Sequence, residues 1–254
     1  MKATYNINWL TDQFENGAHL TYLFFWGHTN KDRQPVGKFC LSQWYDCKFT
    51  VGGVIYKTAE HWMMAQKALL FGNSDLFDKI INSNTPAEAK ELGRQVISFD
   101  ELVWNDHKYQ IVRAGNIHKF NQHPQLASYL LGTGDTILVE ASPADRIWGI
   151  GLAQDSAYIN NIYAWQGQNL LGFALMEVRD FLKAFGTFQP LGNVPQPPWV
   201  KYPGIDGMDM FWRMGAGEDC ITSWSDYLHK LSPREQTICQ LTYPPPQQWE
   251  GFYD

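Results

Sequence analysis

The sequence predicts a mainly α-helical, compact domain with a small β-hairpin element, followed by a Pro/Trp-rich C-terminal extension. Three observations predict it. Apolar residues recur at helical spacing behind good N-terminal caps through much of residues 1–185. Gly52-Gly53 separates two short β-prone runs, and such a pair suits the mirror-image turns of a tight hairpin. Nine of the 13 prolines fall after residue 185, where they remove backbone donors and fix φ.

Taken in order, Cys47–Val51 and Val54–Tyr56 form the hairpin strands, and Thr58 opens a helix that ends at Gly72. Thr85-Pro86-Ala87-Glu88 combines a capping box with proline at the first helical position, so 86–94 is a helix. Ser98 with Glu101 opens a longer one from about 100 to 120. Further helices span 124–131 and 170–185, with a weak strand at Ile137–Ala141 between them. The organisation is a helical domain over 1–185 and an extension over 186–254. Within the extension, 189–204 reads as a linker or a strap, 222–231 as a short helix, and TYPPPQQWEGFYD as an extended tail.

Composition bounds the function. At 254 residues, 44% hydrophobic and 15% aromatic, the chain can bury a sizeable core and is not a disordered protein. No apolar run approaches the roughly 18–20 residues of a membrane helix, and the first residues lack the apolar run of a signal peptide. The expectation is a cytoplasmic protein without a membrane partner. A net charge of -6 argues against a broad grip on nucleic-acid backbone, while leaving room for a local phosphate pocket. The four cysteines show no CxxC spacing, and His118 and His123 have no HExxH around them, so neither a disulfide scaffold nor a metal site is expected.

Two segments could carry chemistry. In YKTAEHWMMAQK (56–67), Glu60 lies in the first turn of its helix, where the dipole favours a carboxylate. Lys67 comes seven residues later and so faces the same way. The bland reading of Glu60 is ordinary capping. In LLGTGDTILVEASPADRIWGIGL (130–152), four glycines punctuate turns whose amides can cradle a phosphate. Asp145 precedes Trp148 by three, and Gly149 gives close access to backbone. Trp148 either stacks a base or fills core. Arg94, Trp104, Lys108 and Lys119 add cationic and aromatic candidates, each of which also reads as a surface charge or a packed ring.

Five separated segments, FFWGH (24–28), YKTAEHWMMAQKA (56–68), TPAEAKELGRQV (85–96), KFNQHPQLASYLLGTGD (119–135) and LVEASPADRIWGIG (138–151), together resemble the NADAR or YbiA-like family. The resemblance covers roughly residues 20–180. It implies a compact, mostly helical N-glycosidase with no metal or redox cofactor. Some members cleave the ribosylamine bond of phosphorylated pyrimidine intermediates in riboflavin biosynthesis; others remove ADP-ribose from guanine in nucleic acid. The implied partners are thus a small ribosyl phosphate or ADP-ribosyl substrate, or an ADP-ribosylated nucleic acid.

Carried over by position, the resemblance puts the family's acidic residue at Glu60 and its QK pair at Gln66 and Lys67. The GRQ turn falls on Gly93, Arg94 and Gln95, the helical tryptophan on Trp104, and DxxWGxG on Asp145, Trp148, Gly149 and Gly151. Glu60, Lys67 and Asp145 are then the catalytic candidates. Arg94 is a phosphate clamp, and Trp104, Trp148 and Gly149 contact the substrate. The chain departs from the family outline at Gln43, Trp44 and Cys47, in a stretch that helps shape the pocket, and in the extension after 186. A non-catalytic nucleotide-binding module is the competing class. For the extension, PQPPW and YPPPQQW would alternatively serve as proline-rich ligands for a partner groove.

Overall fold

A computed structural model describes residues 3–30, 33–249 and 251–253. Met1, Lys2, Glu250 and Asp254, which belong to the terminal segments discussed above, lie outside the described residues, as do Lys31 and Asp32. The chain begins with α1 (Ile7–Glu15) and β1 (Tyr22–Phe25), followed by the hairpin strands β2 (Phe49–Val51) and β3 (Val54–Tyr56). Next come α2 (Ala59–Leu70), α3 (Ser74–Asn82), α4 (Pro86–Gly93), α5 (Glu101–Gln122) and α6 (Pro124–Gly132). Strand β4 (Ile137–Glu140) precedes α7 (Leu170–Phe185), and the C-terminal part carries α8 (Pro198–Lys201), α9 (Gly215–His229) and α10 (Pro233–Thr242). No helix among the described residues is long and apolar enough to cross a membrane.

The residues group into two compact units. The first holds the described residues of Met1–Phe49, Tyr56–Met63 and Asn105–Thr187; the second holds those of Thr50–Ile55, Met64–Trp104 and Phe188–Asp254.

In the first unit β1 and β4 pair in parallel, Tyr22 opposite Ile137 and Phe25 opposite Glu140. Beside β4, a side chain takes the place of a further strand. Asn169, fully buried and in the left-handed region at φ 53°, accepts from the Glu140 amide at 2.9 Å and donates to the Leu138 carbonyl at 2.9 Å. Those two bonds satisfy backbone groups that would otherwise be orphaned in the core. α7 packs on β4, with most of its residues buried. α5 approaches α2 closely where Gly115 faces the Trp62 ring, and any Cβ at 115 would collide with the indole. The same ring donates Nε1–H to the Ile111 carbonyl at 2.8 Å. The N-terminal segment is tied to α7 by Glu177, which accepts from the Thr4 amide at 2.7 Å and the Tyr109 hydroxyl at 3.0 Å and pairs with Arg113 at 3.0 Å.

In the second unit the β2–β3 turn places Gly52 and Gly53 at φ 57° and 82°, the left-handed region the hairpin requires. The C-terminal segment forms its own aromatic core of Trp212, Trp249 and Cys220, with Trp199, Tyr202, Phe211 and Phe252 packed against it. Pro197 and Pro198 are buried, and the Trp199 ring lies within 6.0 Å of Trp224, Trp249, Phe252 and Tyr253. The PQPPW segment is therefore taken up in packing.

Several boundaries differ from expectation for local reasons. The C-terminal helix expected at 222–231 starts earlier, at Gly215, with Gly217 of its first turn packed tightly on the Phe211 carbonyl. α10 is an additional helix with a complete capping box between Ser232 and Glu235 and proline at its first turn. The tail is not wholly extended: Gln247–Trp249 forms a helical turn with Trp249 buried. α5 is capped by Asp100, whose Oδ1 accepts from the Leu102 and Val103 amides at 2.8 and 3.1 Å, and not by Ser98, which adopts φ 57°.

Candidate active site

Glu60 sits in the first turn of α2 and is 3% exposed. The start of that helix is built without solvent. Thr58 Oγ1 accepts from the His61 amide at 3.3 Å and lies 2.8 Å from His61 Nδ1, while the Glu60 amide donates to the Gln43 carbonyl at 3.0 Å. These bonds meet donors that a helix N-terminus leaves free. His61, wholly buried, supports the helix start.

The segment bearing Gln43 is anchored from α5. Lys119 is fully buried and donates to the carbonyls of Cys40 and Ser42 at 2.6 and 2.9 Å. Its ammonium lies 5.7 Å from the Tyr45 ring centre and 5.2 Å from that of Phe120. Burial pulls its pKa down to about 8, against a smaller opposing influence of the Cys40 and Cys47 thiols. Sequence alone allowed Lys119 to be a surface charge; the structure puts it at the centre of the first unit's polar scaffold.

This predicts a pH effect. An unfolded lysine titrates near ~10.4, so between about 8 and that value the unfolded chain binds a proton the folded chain has released. Stability from this group therefore rises with pH across that window, by at most about 1.4 kcal/mol per unit. Burial pushes the Cys40 thiol up to about 11 and the Cys47 thiol up as well, which acts in the opposite direction above pH ~9. Comparison with Lys119→Met isolates the lysine: urea denaturation should show the parent gaining on the variant as pH rises through this window. A gap that narrows instead would refute the assignment.

Lys67, two turns beyond Glu60 on the continuous α2 helix, belongs to the second unit. It donates to the Gly93 carbonyl at 2.9 Å, and its ammonium lies 4.3 Å from the Phe99 ring centre and 5.6 Å from that of Trp104. Partial burial lowers its pKa below that of an ordinary lysine. Arg94 turns the other way. Its guanidinium is exposed and pairs with Glu91 at 2.8 Å, with both side chains about two-thirds exposed, so the pair contributes little. From the GRQ turn, the group that touches Lys67 is the Gly93 carbonyl.

Asp145, Trp148 and Gly149 form one turn in the first unit. Asp145 Oδ1 accepts from the Ile147 and Trp148 amides at 2.9 and 2.8 Å, and its carbonyl accepts from Gly151 at 3.1 Å. A Cβ on Gly149 would lie 2.8 Å from the Glu140 carbonyl and 3.0 Å from that of Asp145, so only glycine lets the turn close on β4. Trp148 is half-buried. The structure thus joins Lys67 with Trp104, and Asp145 with Trp148 and Gly149, and it seats Glu60 beside Gln43. Phe99 beside Lys67 was not anticipated; its only signal is an aromatic residue just ahead of the α5 cap.

The NADAR domain family matches residues 24–183. An N-glycosidase of Acanthamoeba polyphaga mimivirus is 44% identical over 164 residues, which are 63% of this chain and 95% of that protein. A riboflavin biosynthesis protein of Vibrio vulnificus is 34% identical over 148 residues, 58% of this chain but 36% of its own length. The NMR structure of the Escherichia coli protein YbiA superposes with a TM-score of 0.53 at 27% identity, covering 65% of this chain and 86% of that one. With the family match spanning more than half of the chain and the mainly helical architecture shared with YbiA, the chain belongs to the NADAR family.

Proposed function

We propose that this chain hydrolyses the C–N bond between ribose C1 and a base nitrogen in phosphorylated ribosylaminopyrimidines. The chain is a hydrolase of the N-glycosidase class. The observation that carries the reading is Glu60, a carboxylate held buried in the first turn of α2 by the Gln43 carbonyl and the Thr58–His61 pair. The relatives named N-glycosidase support the reaction class, and the relative named a riboflavin biosynthesis protein favours the proposed substrate class.

As the C–N bond stretches, positive charge builds on C1. A carboxylate beside it stabilises that charge and takes a proton from the incoming water, while the departing nitrogen is protonated. Glu60 has that role. Lys67 is carried by the same helix, and partial burial lowers its pKa, shifting it toward the neutral amine relative to an exposed lysine. Asp145 orders the turn that presents Trp148, whose ring stacks on the base, an interaction of about 1–3 kcal/mol per base.

Product analysis by mass spectrometry tests the reading. With EDTA present, the parent should release free base and ribose phosphate from a ribosylaminopyrimidine phosphate. Release of guanine-containing product from ADP-ribosylated guanosine alone would move the substrate to that class. Binding of ADP-ribose without cleavage of either substrate would make the chain a binding module.

A further inference from the structure

Gln43 stands out among the buried polar groups of the first unit. The residue is 7% exposed, and both amide atoms, Nε2 and Oε1, are closed off from water with no hydrogen-bond partner among the described residues. A carboxamide buried this way forfeits its hydration and receives nothing in return. Nor is its backbone loose. Lys119 holds the carbonyls of Cys40 and Ser42, the Trp44 amide donates to Ser42 Oγ at 3.2 Å, and the Cys47 amide donates to the Lys57 carbonyl at 3.3 Å. The Gln43 carbonyl itself receives the amide of Glu60. One residue therefore offers a backbone bond to the proposed catalytic residue and, from its side chain, an amide unsatisfied among the described residues.

The chemistry of the amide limits what completes it. A carboxamide presents one acceptor and one donor edge to edge. A phosphate or carboxylate would engage Nε2 and leave Oε1 stranded. A lactam, with adjoining C=O and N–H, satisfies both atoms at once, and oxopyrimidines and guanine carry such an edge. We propose that Gln43 is the specificity-determining residue of this enzyme, its side-chain amide reading the lactam edge of the base whose bond to ribose is cut. The inference rests on the N-glycosidase reading of Glu60 and adds the group that selects the base. Since both Gln43 and Glu60 are enclosed, the base displaces side chains to reach them. Trp44, half-buried with its ring centre 5.8 Å from that of His28, follows Gln43 in the chain.

The experiment compares the parent with Gln43→Met, which keeps the volume and removes the amide, and with Gln43→Glu, which removes the donor. The substrates are a ribosylaminopyrimidinone phosphate and phosphoribosylaniline, whose ring has no lactam. Gln43→Met should lose about 100-fold in kcat/KM on the lactam substrate, keep its rate on the aniline, and melt at or above the parent temperature. Gln43→Glu should also lose discrimination between the two. A Gln43→Met protein that melts well below the parent and still discriminates as the parent does would overturn the proposal and make the amide structural. Should the parent cleave neither substrate, the hydrolase reading fails on its own. Calorimetric titration with free diaminouracil then decides Gln43: binding by the parent that weakens at least 10-fold in Gln43→Met supports it. Equal affinity, or no binding by the parent, overturns it.

Discussion

Glu60→Gln should lower kcat/KM on the ribosylaminopyrimidine phosphate by about 1,000-fold, within the range that removal of a positioned acid–base group produces. It should do so with the fold intact. The Glu60 side chain is buried, so truncation to alanine would open a cavity and confuse loss of chemistry with loss of structure. Glutamine keeps the shape and removes the charge. The bond from residue 60 to the Gln43 carbonyl comes from the backbone and survives the substitution. Circular dichroism and thermal melting should therefore match the parent while product release collapses. Asp145→Asn provides the contrast. Its Oδ1 is committed to the Ile147 and Trp148 amides, and an asparagine oxygen can accept both bonds. That variant should retain activity within about 10-fold, as expected of a residue that shapes its turn. A reversed ranking, with Asp145→Asn dead and Glu60→Gln active, would move the carboxylate beside C1 to Asp145.

The contrast between these two acids also marks what the sequence could disclose. Local signals were legible where the chemistry is local. Leu170–Phe185 is bounded where its apolar periodicity and Gly186 put it, and Thr85 caps α4 by accepting from the Glu88 amide as the box pattern implies. The same pattern, Ser232-Pro233-Arg234-Glu235, caps α10, a helix not among those expected from the sequence. The helix start near 100 moved because two acceptors competed, and Ser98 entered the left-handed region while Asp100 took the amides. β1 had no local cue at all. Tyr22–Phe25 is a four-residue apolar run whose partner, Ile137–Glu140, arrives only through tertiary packing. For the site, spacing made legible that Glu60 and Lys67 share one helix. Lys119 stood out only as one cationic candidate among several and Gln43 only as a departure from the family outline; that both are buried was not legible. Their burial is set by the carbonyls of Cys40 and Ser42 meeting a side chain from α5, a contact with no trace in spacing.

If hydrolysis runs through a covalent adduct on Lys67 in place of direct attack by water, the parent should form an intermediate that Lys67→Arg abolishes. In a ribosylamine the nitrogen lone pair can open the sugar, leaving a protonated imine at C1. A neutral Lys67 amine adds to that carbon, a proton passes to the departing base amine, and the base leaves as the lysine iminium forms. Water then releases the sugar aldehyde and restores the amine. The surroundings favour the neutral amine. Partial burial against Phe99 and Trp104 lowers the pKa, so the protonated form is lost at a lower pH than for an exposed lysine. The Gly93 carbonyl at 2.9 Å fixes one N–H and thereby orients the nitrogen. Borohydride added during turnover should reduce the iminium and leave a stable ribose-phosphate adduct on Lys67, detectable by peptide mass. Trapping should rise with pH and reach half its maximum below the pH at which a free lysine would. Arginine retains the cation and its contacts with the aromatic rings yet cannot form an iminium, so Lys67→Arg should trap nothing and lose at least about 100-fold in kcat. If Lys67→Arg keeps near-parent turnover and the parent yields no adduct, the lysine acts as a fixed charge, and hydrolysis proceeds by direct attack of water under Glu60.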